Sequence, residues 1–271
     1  MKISVIIPTF DRADFLAGCL NSVLSQAHTA SEIIVVDDGS TDSTSKLLQA
    51  YHKNHPQIKT VFLKHNHGVS RARNEGIAVA QNDWIAFLDS DDIWHKDKLK
   101  HQITFHNQNP HYLISQCQEV WIKEGVIMPQ PKWAHKQSGD MFLASLKHCL
   151  ISTSSVLISK KIFKDIGLFD ESLIACEDYD LWLRITSQYS VGLIEKQLIS
   201  KIAGHSNQLS TIWGLDRFRV VALQKHLGGK YHNEVKTILL KKYHILQQGA
   251  IKRNNQTLAQ MCEKALTQLL Q

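Results

Sequence analysis

The sequence lacks a hydrophobic run long enough to cross a membrane, and its cysteines form no recognisable framework. None of its apolar stretches approaches the roughly eighteen residues that a membrane-spanning helix requires. The apolar start is broken early by Pro8 and Asp11, so it does not resemble a secretion signal. Its five cysteines are scattered, odd in number and never spaced as CxxC, which is typical of reduced thiols buried as small apolar residues. We therefore expect a cytoplasmic protein without disulfides or a structural zinc site.

Acidic residues are scarce in the last quarter of the chain. The net charge is +6, and the segment from Ser206 onward carries ten Lys/Arg against three Asp/Glu. Such asymmetry indicates an anionic partner. Few aromatic residues accompany these basic ones and no recognised module is present, so nucleic acid is not expected. Peripheral contact with the inner face of an anionic membrane remains open, as does a helical appendage that forms a homodimer.

Strands and helices alternate over the first hundred residues. Uniformly apolar strands are predicted at residues 2–7, 33–36, 61–63 and 84–88, with amphipathic helices between them. This pattern predicts an α/β fold, a mostly parallel sheet with helices on both faces. Further on, we predict a strand at 151–158, a helix at 177–188 and a helical region from about residue 212. The expected boundaries are a domain at 1–205, divided near residue 110, and a basic helical region at 206–271.

The motif WIAFLDSDDIW, residues 84–94, raises an electrostatic question. A predicted buried strand ends directly in three carboxylates, Asp89, Asp91 and Asp92. Ligands of open parallel sheets bind beyond the carboxyl ends of the strands, and clustered carboxylates there repel one another unless a cation lies among them. Oxygen ligands in a D-x-D spacing suit Mg²⁺ or Mn²⁺. The alternative is that Asp91 and Asp92 cap a following helix, which leaves Asp89 unexplained.

Five motifs in order along the chain give a resemblance to a known family. They are SVIIPTFDR, EIIVVDDGSTD, NHGVSRARNEGI, WIAFLDSDD and CEDYDLWLRI. Over about residues 1–205 the chain resembles the family 2 glycosyltransferases of the GT-A fold. The resemblance implies a Rossmann-like sheet, a C-terminal helical extension, and inverting transfer of a sugar from a nucleotide-diphosphate donor, usually a UDP-sugar. The implied acceptor is a glycan or lipid-linked hydroxyl in cell-surface polysaccharide or lipopolysaccharide synthesis.

The resemblance implies a nucleotide-binding half at about residues 1–110 and an acceptor-binding half at about 111–205. It also implies a set of residues that bind the donor. Asp38 would accept a hydrogen bond from the uracil N–H, although spacing alone equally favours a turn formed by Asp38 and Gly39. Arg71 and Arg73 lie two apart and should point to different helix faces, so we expect only Arg73 to face the donor and Arg71 to pair with carboxylates. The predicted donor-binding residues are Pro8, Thr9, Phe10, Asp38, Asn66, Arg73, Asp89 and Ser90.

The remaining predicted residues hold the metal, the acceptor and the proton. By the resemblance, Asp91 binds Mn²⁺ or Mg²⁺ directly, Asp89 contacts both ribose and metal, and His205 is a further candidate ligand. Inversion requires a base for the acceptor hydroxyl, and the match to the family's acidic pair assigns it to Asp178. Helix capping is the alternative role for such acids.

Two residues beside Asp178 are expected to bind the acceptor. Glu177 could contact acceptor or metal, and Trp182 could present an apolar face to an acceptor sugar, although such a residue is more often core. Asp180 departs in position from the motif and is expected to be structural.

Two other functions remain as alternatives. A sugar nucleotidyltransferase would share the sheet and a metal carboxylate, but it should show a glycine-rich phosphate loop where this chain has Pro8-Thr9-Phe10-Asp11. A non-catalytic protein that binds sugar nucleotides or glycans should have lost the D-x-D motif or the acidic pair, and both are intact here.

Overall fold

The computed structural model describes residues 1–204 and 212–271, and within them one mixed sheet runs through the molecule. The strands are β1 (Ile3–Thr9), β2 (Glu32–Asp37), β3 (Ile58–Phe62), β4 (Trp84–Phe87), β5 (Asp92–Trp94), β6 (Ile114–Lys123), β7 (Val126–Met128), β8 (Leu157–Ser159) and β9 (Gly192–Ala203). Their spatial order is β3-β2-β1-β4-β8-β6-β9-β5, with β7 paired to β6.

The first four strands are parallel, as predicted, and the rest of the sheet is mixed. β1 pairs in parallel with β2 and β4, and β2 with β3. β8 is antiparallel to both β4 and β6, and β9 is parallel to β6 but antiparallel to β5. The predicted strand at 151–158 is only partly correct. Residues Thr153–Ser155 form a 3₁₀ turn, and only β8 is extended.

Helices cover both faces of the sheet. They are α1 (Ala13–Leu24), α2 (Thr44–Asn54), α3 (Val69–Val79), α4 (Lys98–Gln108), α5 (Phe142–Ser145), α6 (Ile162–Ile166), α7 (Glu177–Thr186), α8 (Asp216–Gln224), α9 (His232–Lys252) and α10 (Gln256–Leu270). Alternate residues of β1 enter opposite layers, because successive side chains of a strand point to opposite faces. Val5 and Ile7 pack with α1, whereas Ile6 packs with α3 and α7. This burial on both faces explains the uniformly apolar strands.

The last three helices pack against residues of the second half of the region 1–205. A third apolar cluster joins Tyr179 and Leu183 of α7 to Leu223 of α8 and to Leu239 and Tyr243 of α9. The helical pattern from about residue 212 is thereby confirmed, while the boundary at 205/206 stays a prediction. Among the described residues, no helix combines the length and the apolar character that crossing a bilayer requires.

Close packing of α3 on β1 depends on a glycine, which gives a first prediction. A Cβ added at Gly76 would lie 2.4 Å from Cγ2 of the buried Ile6. We expect Gly76→Ala to lower the free energy of unfolding by about 1–3 kcal/mol through overpacking, despite a helix-propensity gain of about 1 kcal/mol. Urea denaturation measures this change.

The matched control is the same substitution in α9. At Gly249 a Cβ would meet only ordinary contacts, the nearest being Nη1 of Arg253 at 3.5 Å. Gly249→Ala should therefore raise stability by up to about 1 kcal/mol. Stabilisation by both substitutions would contradict the close approach of α3 to β1.

Candidate functional site

A single large cavity lies where the parallel strands end. Its volume is about 1270 Å³, and it opens beyond the carboxyl ends of β1, β2 and β4. Ten predicted donor, metal and base residues and the predicted acceptor residue Glu177 line it, namely Pro8, Thr9, Phe10, Asp38, Asn66, Arg73, Asp89, Ser90, Asp91, Glu177 and Asp178. The sheet edge therefore gathers residues that are up to 170 positions apart in the sequence.

One end of the cavity is built around Asp38. Its carboxylate accepts hydrogen bonds from the backbone N–H groups of His67 and Gly68, at 2.9 and 2.8 Å. Burial raises the pKa of Asp38, and these two hydrogen bonds oppose that rise. The turn that spacing suggested for Asp38 is instead stabilised by its neighbour, since Oδ1 of Asp37 accepts from the N–H of Ser40 at 2.9 Å.

Gly39 is required at this turn for two reasons. Its φ of +76° favours glycine, and a Cβ there would lie 2.6 Å from the backbone of His65. The loop after β2 therefore packs directly on the loop before α3, and their contact positions the carboxylate of Asp38.

The loop after β1 is held in place by a residue in an unusual conformation. Asp11 has a φ of +48°, which Asp tolerates better than most residues. Its Oδ1 accepts hydrogen bonds from the N–H groups of Thr41 and Asp42, at 2.6 and 3.2 Å. The ends of β1 and β2 are thereby tied together, and Phe10, which is 37% exposed, lies at the cavity rim.

Four buried polar atoms of residues on the cavity lining have no hydrogen-bond partner within the described part of the chain. They are Oγ1 of Thr9, Oγ of Ser70, Nε of Arg73 and Nε of Arg219. Buried polar groups are nearly always hydrogen-bonded, so unpartnered ones on a cavity wall favour a bound polar ligand.

Arg73 joins the two halves of the site. Its guanidinium donates to Oδ1 of Asp89 at 2.8 Å and to Oε1 of Glu177 at 2.6 Å, and its side chain is only 5% exposed. Burial opposes its charged form, but Asp89 and Glu177 outweigh burial and raise the pKa of Arg73 above its ordinary value. Burial and the charge of Asp178 raise the pKa of Glu177, while Arg73 lowers it. Arg71 pairs with Glu75 and Glu171 at the surface while Arg73 lines the cavity, so the two side chains point to different sides of α3 as expected, and contact between Arg73 and the donor stays a prediction.

The three carboxylates after β4 do not cap a helix. Asp92 begins β5, and α4 starts only at Lys98 behind the N-cap residue Asp97, so the capping alternative is wrong. Asp92 accepts a 2.6 Å hydrogen bond from Oγ of Ser154. Burial raises its pKa to about 8, with further contributions from Asp89 and Asp91, while Lys201 opposes the rise.

The D-x-D pair supplies oxygen atoms of the kind that a divalent metal ion takes as ligands. Asp89 and Asp91 line the same cavity, and carboxylate oxygens are the ligands that Mg²⁺ and Mn²⁺ prefer. Within residues 1–204 and 212–271, no group of three His, Cys, Asp or Glu is arranged to hold a metal ion. These residues therefore fit an ion that takes its other ligands from a substrate. The predicted ligand His205 lies outside the described residues.

Asp178 lies in the first turn of α7, directly after Glu177. Its Oδ1 accepts from the N–H of Tyr179 at 2.7 Å, and its Oδ2 lies 3.5 Å from Sγ of Cys149. Burial, followed by the charge of Asp178, raises the pKa of Cys149 well above the ordinary value, so this thiol is protonated and donates. Within the described residues, Oδ2 of Asp178 thus accepts a hydrogen bond only from this thiol, which is a weak donor. A weakly held carboxylate oxygen is able to accept a proton.

The interpretation of Trp182 as an acceptor contact is wrong. Its side chain is buried at 2% exposure, packs edge-on against Phe169, and is absent from the cavity lining. Position 182 lies on the face of α7 that packs on the sheet, so the indole forms part of the core.

Glu177 lines the cavity, but its carboxylate is engaged by Arg73. Asp180 is structural as expected, because it is fully buried and pairs with Arg184 and Lys225.

Sequence reasoning missed Glu119 of β6, which lines the cavity. Its carboxylate accepts hydrogen bonds from Oγ of Ser152, from Nε1 of Trp121 at 2.8 Å and from Nζ of Lys136 at 3.1 Å. These partners and the nearby Lys201 overcome burial and lower the pKa of Glu119 to about 2. The only signal in the sequence is that Glu119 and Trp121 lie two residues apart, which places their side chains on the same face of strand β6. This spacing does not show which other elements pack against that face.

Comparison with known proteins gives consistent matches. A family model described as glycosyl transferase family 2 matches residues 4–167. An uncharacterized glycosyltransferase of Rickettsia conorii is 38% identical over 207 residues, covering 76% of this chain and 34% of that protein. The chain thus spans about a third of the length of that relative.

Two further relatives are matched over most of their own length. The putative teichuronic acid biosynthesis glycosyltransferase TuaG of Bacillus subtilis is 35% identical, covering 68% of this chain and 71% of that protein. The Escherichia coli UDP-Glc:alpha-D-GlcNAc-diphosphoundecaprenol beta-1,3-glucosyltransferase WfaP is 28% identical, with 86% and 89% covered.

Solved structures share the fold. S. aureus TarS 1–349 in complex with UDP-GlcNAc superposes with a TM-score of 0.72 at 22% identity, covering 89% of this chain and 71% of that one. A mannosyltransferase from Pyrobaculum calidifontis in complex with GDP-Man and Mn²⁺ has a TM-score of 0.67 at 14% identity, with 100% and 81% covered. At these identities the likeness establishes the fold, and the expected GT-A architecture is confirmed.

The bridge made by Arg73 generates the second prediction. Arg73→Met should lower the free energy of unfolding by about 3–5 kcal/mol near neutral pH, because it leaves two acids without their buried counter-ion. A carboxyl whose pKa is higher folded than unfolded destabilises the fold as pH rises past the unfolded value. Losing Arg73 raises the pKa of Glu177 further, so the loss of stability should be smaller at about pH 5 than at about pH 8. Urea denaturation at both pH values measures this.

Arg71→Met is the matched control. Arg71 is exposed and its ion pairs lie in solvent, so its removal should leave the urea midpoint nearly unchanged at both pH values. Equal destabilisation by the two substitutions would contradict a bridging role for Arg73.

Proposed function

Because the chain belongs to glycosyl transferase family 2, we propose that it transfers a sugar from a nucleoside-diphosphate donor to an acceptor hydroxyl, with inversion at the anomeric carbon. The observation that carries this proposal is the single cavity in which Asp38, Arg73, the D-x-D carboxylates and Asp178 meet. It is deep enough for both substrates, and its two ends have different chemistry. The family assignment also removes the support for a sugar nucleotidyltransferase.

The donor occupies the end beneath β1, β2 and α3, and we take it to be a UDP-sugar. Asp38 accepts the ring N–H of uracil, and the unpartnered atoms of Thr9, Ser70 and Arg73 offer further hydrogen bonds. Pro8, Phe10, Asn66 and Ser90 complete the enclosure of the nucleotide. The solved structure of TarS with UDP-GlcNAc, which shares this fold, supports that choice of nucleotide.

Asp91 and Asp89 would hold Mn²⁺ or Mg²⁺ together with diphosphate oxygens. The fit is chemical, because two carboxylates after β4 supply hard oxygen ligands but too few to complete the shell by themselves. Such an ion, when bound, neutralises charge on the departing diphosphate. Arg73 keeps Asp89 turned toward the cavity and adds a fixed positive charge beside it.

Asp178 serves as the base. Its Oδ2 takes the proton from the acceptor hydroxyl while the acceptor oxygen forms a bond to the anomeric carbon and the bond from that carbon to the diphosphate oxygen breaks. The nucleoside diphosphate leaves with the bonding electrons. Arg73, paired with both Glu177 and Asp89, offsets part of the repulsion among the carboxylates near the base.

The acceptor is proposed to be a lipid-linked glycan of cell-surface polysaccharide. The names of TuaG and of WfaP, which acts on a diphosphoundecaprenol-linked sugar, support this choice. The basic helices α8–α10 would then lie beside the anionic inner face of the membrane, and a homodimer through these helices is the alternative.

Two substitutions separate the roles of the carboxylates. Asp178→Asn removes the proton acceptor without changing side-chain size, so transfer should fall about 10²–10⁴-fold while Mn²⁺-dependent UDP binding persists. Asp91→Asn makes the same chemical change at the metal and should weaken UDP binding in Mn²⁺ but not in EDTA. Product UDP release and titration calorimetry measure these effects. Full transfer by Asp178→Asn would remove the base assignment, and failure of the native chain to bind any nucleoside diphosphate would remove the proposed function.

A further inference from the structure

A large aromatic side chain stands partly exposed on the acceptor side of the cavity. Trp133 lies in the 3₁₀ turn Lys132–Ala134, lines the cavity, and is 48% exposed. Single exposed apolar side chains are common on protein surfaces and need no explanation. Three features of its surroundings set Trp133 apart from that background.

The first feature is the anchoring of the segment that carries it. Before the indole, Nε2 of Gln130 donates to the backbone oxygen of Glu119 at 2.9 Å. After it, the buried Lys136 reaches the carboxylate of Glu119 at 3.1 Å and Oγ of Ser152 at 3.0 Å. Both ends of the segment are thus fixed to β6 by contacts that do not involve Trp133. The fold holds this exposed ring in a set position.

The second feature is the support behind the ring. Trp133 stacks on His148, with 4.7 Å between ring centroids and planes only 18° apart. The imidazole of His148 therefore covers one face of the indole. The exposed area of Trp133 lies on the rest of its side chain. An indole backed in this way presents a flat apolar face at little cost in side-chain entropy.

The third feature is the connection, through Cys149, between the aromatic pair and the proposed base Asp178. Cys149 follows His148 directly, and its Sγ lies 3.5 Å from Oδ2 of Asp178. The aromatic pair is therefore connected to the base side of the cavity. The residues proposed to hold the nucleotide, Asp38 and Arg73, belong to the other half of the chain.

We propose that Trp133 is the platform on which the acceptor sugar stacks. A pyranose ring has an apolar face of C–H groups and a rim of hydroxyls, so it matches a flat indole flanked by polar side chains. Glu119 and Lys136, which line the same cavity as Trp133, supply polar groups of the kind that those hydroxyls bind. The proposal rests on the proposed function and adds the residue that selects a sugar ring on the acceptor side.

The test measures sugar binding separately from transfer. The full-length chain with UDP and Mn²⁺ is mixed with methyl N-acetyl-α-glucosaminide, and saturation-transfer NMR records the ring C–H protons. We expect clear signals from the native chain, at least a fivefold loss in Trp133→Ala and a smaller loss in Trp133→Phe. Calorimetric UDP affinity should remain unchanged in both variants, because the donor end is untouched.

Trp213→Ala is the matched control, since Trp213 is similarly exposed at 44%, is covered by the Arg253 guanidinium, and lies outside the cavity lining. It should keep the native signals. Equal signals in Trp133→Ala and the native chain, equal losses in both tryptophan variants, or no signal from the native chain would each overturn the platform. UDP binding that persists in those cases leaves the proposed function standing.

Discussion

The contact on which the site depends is the buried guanidinium of Arg73 between Asp89 and Glu177. It joins α3, the end of β4 and the start of α7, three elements separated by up to about a hundred residues. Two acids this close, Glu177 buried and Asp89 partly exposed, would repel each other, and one delocalised cation with a planar fork satisfies both. The two halves of the region 1–205 are thereby held together by charge as well as by packing.

The same charge balance extends along the cavity. The pKa of Asp92 is raised mainly by burial, whereas Glu119, equally enclosed but surrounded by Lys136, Ser152 and Trp121, has its pKa lowered. Asp92 lies beside Asp89 and Asp91, whose charges help to raise its pKa, whereas Glu119 is paired with Lys136. Lys201 interacts with the carboxylates of both groups.

Particular residues show how far sequence reasoning reached. Arg73 and Arg71 were separated correctly, because helical spacing assigns them to different faces. Asp180 and the cysteines also behave as expected. The prediction that Trp182 contacts the acceptor was wrong. Amphipathic spacing places this residue on the inner face of α7 but does not show whether core side chains or a ligand lie against that face. The strand predicted at 151–158 failed where Thr153–Ser155 turn to bring Ser154 and Ser152 onto acids from other elements. The roles of Asp38, Asn66 and Asp178 toward ligands stay predictions.

The sequence by itself determined the parallel half of the sheet and the residues at its carboxyl edge. Hydrophobic periodicity defines such strands locally, and parallel order brings their ends together whatever the remaining contacts are. Only the tertiary structure decided the part of the cavity wall that contains Glu119, in which β6 pairs with β9 across a long separation in the sequence and Lys136 binds the Glu119 carboxylate. Non-local pairing of this kind depends on the summed packing of many elements, and no local pattern encodes it.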